Sequence, residues 1–144
     1  MRLLGTPIHP VFVFDGPNKP AIKRNKRSGR GDGVATAQAK RLIRLFGFPV
    51  HDAPGEAEAE CALLQRHGIV DAVLSEDVDT IRFGCTRTFR NWSSTSKTGK
   101  SPTHVSMYDV NDNLDLDREG MVLVALMSGG DYLPEGLPGC GVKS

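Results

Sequence analysis

At 144 residues the chain has the length of one ordinary domain, enough to bury a core and too little for two. No unbroken apolar run approaches the roughly 20 residues of a membrane span, and the opening MRLLGTPIHPVFVF has neither a signal-peptide hydrophobic region nor a small-residue cleavage site, so a soluble intracellular protein is expected. The formal charge is only +1, but the signs are segregated: no acid lies between Gly16 and Gly31, while acids gather at Glu56, Glu58 and Glu60 and again at Glu76, Asp77 and Asp79.

The first predicted element is a buried strand over Val11 to Phe14, β-branched or aromatic throughout and stopped by the turn pair Asp15-Gly16. Asp15 therefore belongs at a strand's C-terminal end. PNKPAIKRNKRSGRGDG, rich in Gly, Pro, Lys and Arg, reads as a loop. VATAQAKRLIRLFG carries apolar residues at Ala35, Ala39, Leu42, Ile43 and Phe46 in helical rhythm, closed by Gly47, with Lys40, Arg41 and Arg44 on the polar side.

FPVHDAP is expected as a short strand, GEAEAECALLQRHG as a helix and VDAVLSEDVD as a buried strand ending in acids, the β-α-β alternation of a parallel sheet. CTRTFRNWS and THVSMYDV follow as strands around a polar loop, and DREGMVLVALMSGG as a helix capped near Asp115 or Asp117. The end, GDYLPEGLPGCGVKS, is turn-rich. Cys61, Cys85 and Cys140 are odd in number and form no CxxC pair, which excludes a disulfide framework or structural zinc site and leaves packed, reduced thiols. His9, His51, His67 and His104 show no ligand spacing. GRGDG lacks the Lys-Ser/Thr of a phosphate-binding loop.

In open parallel sheets, ligands collect beyond the carboxyl ends of the strands, and the acidic groups all fall at strand ends or at the start of the helix after one. Carboxylates held close together repel unless they take up protons or share a cation. An oxygen-only set suits Mg²⁺ or Mn²⁺ rather than zinc. Two such ions about 4 Å apart can activate water and stabilise the leaving oxygen in phosphodiester hydrolysis. The same glutamates also suit the first turn of a helix through its dipole, and helical geometry pairs Glu56 with Glu60 unless Glu56 sits in an irregular lead-in set by Pro54-Gly55. Asp77 and Asp79, at an extended strand end, would point to one side. The basic run suits a phosphate backbone, a nuclear-import signal or a solvated loop.

In order along the chain, VFVFDGPNKP, APGEAEAECALL, LSEDVDTIRFG and GGDYLPEGLPGCG closely resemble the flap-endonuclease/XPG superfamily of structure-specific nucleases. GEAEAECA, the FRNWS strand and DYLPEGLPGCG are most similar to its eukaryotic branch, the GEN/Yen-type Holliday-junction resolvases, with a fungal cast. The resemblance implies an α/β, PIN-like nuclease core with a mainly parallel central sheet flanked by helices, cutting branched DNA, Holliday junctions and 5′ flaps, with two Mg²⁺ ions for which Mn²⁺ substitutes. It implies Asp15, Glu56, Glu58, Asp77, Asp79 and Asp131 as metal ligands and catalytic acids, and it leaves Glu60 out.

It further implies an arch-equivalent segment at 16–46, in which Lys19, Lys23, Arg24, Lys26, Arg27, Arg30, Lys40, Arg41 and Arg44 handle DNA, and an internal region at about 48–128 that completes a partial core over 1–128. Residues 129–144 resemble the start of a helix-two-turn-helix element, where Gly139, Gly141 and Lys143 would meet the duplex backbone beside a K⁺ ion. Expected partners are branched DNA and no membrane, with a monomer in solution, a dimer on junctions, and a nuclear location. The family carries a further ligand aspartate well upstream of the FDG motif, so a fragment truncated at both ends is expected. A catalytically inactive DNA-binding module of the same family is the alternative, and a PIN-like ribonuclease a more remote one.

Overall fold

The computed structural model describes residues 5–20, 22–23, 26–27, 33–90, 106–109, 117–129 and 135–140. They belong to two compact units, Met1–Ala21 with Ser28–Ala57, and Ile22–Arg27 with Glu58–Ser144.

In the first unit, strand β1 (Phe12–Phe14) ends where the sequence predicts, immediately before Asp15. The basic run is not all loop. It contains a short antiparallel hairpin, β2 (Ile22–Lys23) and β3 (Lys26–Arg27), which belongs to the second unit. Helix α1 (Val34–Leu45) follows and leads to strand β4 (Val50–Asp52), which pairs with β1 in parallel, Val13 opposite His51. This is the β-α-β crossover expected of an α/β chain. Gly47 ends α1 at φ +81°, and the N–H groups of Gly47 and Phe48 bond the carbonyls of Arg44 and Ile43, the double closure that a left-handed residue permits.

The predicted apolar face of α1 is only partly covered. Ile43 is buried, whereas Leu42 and Phe46 are exposed, because a pair of three-residue strands is too narrow to cover a helix's whole apolar arc. Phe12 and Phe48 pack ring to ring at 5.7 Å across the base of the strand pair.

In the second unit, helix α2 (Ala57–Arg66), which starts at the unit boundary, closes at Gly68 in the same way as α1. Strand β5 (Val73–Leu74) is much shorter than VDAVLSEDVD suggests. It is followed by a single-turn helix α3 (Asp79–Arg82), then β6 (Arg87–Arg90), β7 (Ser106–Asp109) and α4 (Arg118–Ser128). β6 is central, parallel to β5 and antiparallel to β7. The α/β class with parallel pairs is as expected, but among the described residues the strands divide into three sheets rather than one.

The core of the second unit is Ala62, Val73 and Cys85, with Cys61 and Phe83 packed against it. Buried Thr88 lies 3.1 Å from the Cys85 sulfur, so two polar groups inside the core satisfy each other. Gln65 ties α2 to the sheet. Its Oε1 accepts from the Thr86 N–H at 2.8 Å, and its Nε2 donates to the carbonyls of Asp71 and Arg87. Asp117 caps α4 through the Gly120 N–H at 2.8 Å, resolving the choice between Asp115 and Asp117. Among the described residues no helix is long and apolar enough to cross a membrane.

Candidate functional site

The first unit joins the FDG and GEAE motifs through hydrogen bonds. The Gly16 N–H donates to the Gly55 carbonyl at 2.7 Å and the Asn18 N–H to the Pro54 carbonyl at 3.1 Å. A Cβ on Gly16 would fall 1.6 Å from the Ala53 carbonyl oxygen, so this approach requires glycine.

The approach brings Asp15 to the start of α2. Its Oδ1 accepts the Ala57 N–H at 2.9 Å, where the partial positive charge of a helix N-terminus favours a carboxylate. Its Oδ2 meets the Lys19 ammonium at 2.5 Å. Glu56 precedes the first helical residue and is 9% exposed. It therefore lies in a lead-in after Pro54-Gly55, outside the regular helix whose periodicity pairs it with Glu60, while Glu58 and Glu60 lie in the regular first turn.

Asp77 and Asp79 need a correction. They do not extend a strand with side chains on one side, because β5 stops at Leu74 and the chain turns into α3. The Asp77 N–H bonds Ser75 Oγ at 3.0 Å, and Asp77 Oδ1 accepts the Asp79 N–H at 2.9 Å, so Asp77 organises the start of the helical turn. The Asp79 carboxylate pairs with Arg82 at 2.7 Å. Thr80, fully buried, donates to the Asp77 carbonyl at 3.0 Å and anchors the turn to the core. Propensity favours a strand through VLSEDVD, and the side-chain-to-backbone turn bonds of Ser75 and Asp77 override it.

The basic residues separate into groups. Arg41 and Arg44 are exposed on α1. Lys40 is engaged within its unit, 2.5 Å from Asp52 Oδ1 and 5.0 Å from the centre of the Phe14 ring. Lys40 holds the carboxyl of Asp52 below its usual range, chiefly through this hydrogen bond, with the charges of Lys40, Arg44 and His51 acting in the same direction. No residue spacing signalled this clasp, since Lys40 and Asp52 meet only once α1 packs on β4. Lys23, Lys26 and Arg27 contribute backbone to the hairpin. Arg24, Arg30, Asp131, Gly141 and Lys143 lie outside the described residues. Gly139, at φ +80°, follows Pro138 in a turn closed by the Cys140 N–H on the Leu137 carbonyl at 3.0 Å.

Among the described residues no three His, Cys, Asp or Glu side chains are close enough together to hold a metal ion. The donor chemistry nevertheless fits a hard cation. Asp15 and Glu56 are oxygen donors of the kind a hard cation takes, the N–H that Asp15 Oδ1 accepts belongs to Ala57, the residue after Glu56, and a cation, the Lys19 ammonium, already sits on Asp15 Oδ2. Cys61, by contrast, is unsuited to metal. Desolvation, reinforced by the nearby charge of Glu58, pushes its thiol up to about 11 and keeps it protonated.

Comparison with known proteins identifies the group to which these motifs belong. The family model of the XPG I-region matches residues 47–131. A flap endonuclease 1 from Methanopyrus kandleri is 34% identical over 99% of the chain and 52% of its own length. A solved Holliday junction-resolving enzyme GEN1, in complex with product DNA and Mg²⁺, is 64% identical over 99% of the chain and 33% of its own, with a TM-score of 0.76. The junction-resolving enzyme GEN-1 with potassium is 62% identical over 99% of the chain and 32% of its own, with a TM-score of 0.75. The chain thus spans about half the length of the first of these relatives and about a third of the other two. Its α/β nuclease fold is PIN-like, and the chain belongs to the XPG I-region family of the flap-endonuclease/XPG superfamily.

Proposed function

We propose that the chain is the core of a divalent-metal-dependent, structure-specific DNA endonuclease that hydrolyses phosphodiester bonds at branched DNA, Holliday junctions and 5′ flaps, in repair and recombination. The observation that carries this is the bond from the Ala57 N–H to Asp15 Oδ1, which joins the acid of one superfamily motif to the backbone of another in a chain 64% identical to an enzyme solved with product DNA and Mg²⁺.

Asp15, Glu56, Glu58, Asp77, Asp79 and Asp131 are the proposed ligands of two Mg²⁺ ions, for which Mn²⁺ substitutes. Bound there, the ions would supply an activated water and charge stabilisation at the leaving oxygen. The chain's own residues prepare for that chemistry. Pro54-Gly55 sets Glu56 outside the helix, the α2 N-terminus fixes the Asp15 carboxylate, and Ser75 and Thr80 fix the turn carrying Asp77 and Asp79.

Lys19, Lys23, Arg24, Lys26, Arg27, Arg30, Arg41 and Arg44 are the proposed phosphate-binding residues. Lys40 belongs with them, its ammonium held by Asp52 and lying over Phe14. Residues 129–144 would begin a helix-two-turn-helix element in which Gly139, Gly141 and Lys143 meet the duplex backbone beside a K⁺ ion, and a GEN-1 solved with potassium supports the choice of ion. Its partner is branched DNA, with a monomer in solution and a dimer on the junction, and its place is the nucleus.

The test is cleavage of labelled four-way-junction and 5′-flap DNA with Mg²⁺, with EDTA, and by Asp77→Asn and Glu56→Gln variants. Both variants should lose cutting and retain binding; undiminished cutting by either removes that residue from the site. A second reading, an inactive DNA-binding module, is favoured by Asp15, whose oxygens already engage Lys19 and a helix N-terminus as a structural cap would. Binding of both DNAs with no Mg²⁺-dependent turnover by the parent chain selects it.

A further inference from the structure

We propose that Lys19 is a displaceable counter-ion of Asp15, a built-in lock that a divalent cation must open and whose released ammonium then becomes available to a phosphate. This rests on reading Asp15 as a metal ligand.

The lock is a consequence of the segment DGPNK. Gly16 accepts the Lys19 N–H at 3.3 Å, closing a four-residue turn with Pro17 at its second position, where proline's fixed φ suits a reversal. Asn18 is pinned to the Pro54 carbonyl at 3.1 Å. Lys19 is thereby folded back over Asp15, four residues earlier, and its ammonium reaches Oδ2 at 2.5 Å.

The carboxylate cannot turn away from it freely, because Oδ1 is held by the Ala57 N–H at 2.9 Å. One oxygen is therefore engaged with the start of α2, and Lys19 sits on the other. An ammonium and a divalent ion on that oxygen would repel each other at close range. The cation thus binds only as the ammonium leaves.

Several features suit this exchange rather than a permanent strut. The Lys19 backbone is anchored by its turn, so leaving requires only rotation about the side chain's own bonds. The two side chains are 22% and 25% exposed, dry enough for the pair to form and wet enough for the ammonium to be rehydrated on release. A lysine is a compact point charge on a flexible stem, with no bidentate hold on the carboxylate to be broken. By reciprocity, whatever free energy the metal gives up to expel Lys19 is the amount by which a phosphate that captures Lys19 strengthens metal binding. Metal and DNA would then recruit each other through one side chain.

The experiment titrates Mn²⁺ into the full chain, following the free-Mn²⁺ paramagnetic resonance signal, for the parent and for Lys19→Met, Lys19→Arg and Asp15→Asn, with melting temperatures confirming that each is folded. Lys19→Met should bind Mn²⁺ about five-fold more tightly than the parent, the scale of one partly exposed ion pair. Lys19→Gln should show the same gain should methionine impair folding. Lys19→Arg should bind no more tightly than the parent, and Asp15→Asn more weakly. Lys19→Met binding Mn²⁺ no more tightly than the parent, with Asp15→Asn still weakened, would overturn the lock and leave the metal reading standing. Equal Mn²⁺ binding by the parent and Asp15→Asn would overturn the metal reading, and the lock with it.

Discussion

Lys40 and Asp52 form an ion pair, 2.5 Å between Nζ and Oδ1, that fastens helix α1 to the C-terminal end of strand β4, while the same ammonium lies over the ring of Phe14 on β1. One side chain thus touches all three elements of the crossover, over Phe14, the residue that precedes Asp15.

The Asp52 carboxyl titrates below its ordinary value of 3.8, first because of the Lys40 hydrogen bond. A lowered folded-state value means that the pair's stabilisation is fully present above the ordinary value and is lost as pH falls through the lower one. With the Asp52 side chain 55% exposed, the contribution is small. Lys40→Met should move the Asp52 midpoint back up, though not completely, since Arg44 and His51 remain. Carboxyl chemical shifts followed by NMR through the acid range give the midpoint directly; one identical to the parent's would mean that Lys40 is not the cause.

Gly16→Ala should be severely destabilising. Its methyl group would meet the Ala53 carbonyl oxygen at 1.6 Å, and backbone on both sides leaves nothing flexible to yield. A loss of about 3 kcal/mol or more is expected from such overpacking. Gly55→Ala, whose methyl group would lie at an ordinary contact distance of 3.9 Å from the Asn18 carbonyl oxygen, should change stability by less than about 1 kcal/mol. Urea unfolding of the two variants tests the contrast, and similar losses in both would refute the close-approach argument.

Asp77 has a structural duty separable from its charge. Asp77→Asn keeps an oxygen for the Asp79 N–H and should leave the melting temperature nearly unchanged. Asp77→Ala removes that acceptor and should lower stability by about 1 kcal/mol. Calorimetry on both variants decides this. A comparable loss in Asp77→Asn would show that the charge, rather than the acceptor, supports the turn, and would also make it unsuitable as a clean catalytic knockout.

Cys61 should make the second unit alkali-sensitive. Burial, then the charge of Glu58, raises its thiol from 9.0 to about 11. A raised folded-state value stabilises fully below the ordinary value and is lost as pH climbs from 9.0 to about 11. Unfolding free energies measured across that window should fall more steeply in the parent than in Cys61→Ala. Parallel slopes would rule out Cys61 as the titrating group.

Much of this was legible along the chain. The helical rhythm of VATAQAKRLIRLFG and its terminal glycine located α1, and the apolar run before Asp15 located β1, while the sequence leaves Glu56 open between helix and lead-in and only Ala57 as the first helical residue decides it. These features depend on neighbours within a few residues, where periodicity and turn chemistry act. The SEDVD segment was misread because two rules competed locally. β propensity favoured extension, and the side chains of Ser75 and Asp77, each bonding the backbone N–H two residues on, favoured a turn.

What the sequence determined by itself was the order and chemistry of the motifs, and with them the family, because four acidic or glycine-bearing signatures in fixed order need no coordinates to be read. The tertiary structure alone decided which charges meet. Lys40 with Asp52, Asp15 with the Ala57 N–H and Arg87 with Asp109 are partners from separate elements. Coulombic and hydrogen-bonding interactions depend on distance in space, and chain packing makes neighbours of residues that no sequence period connects.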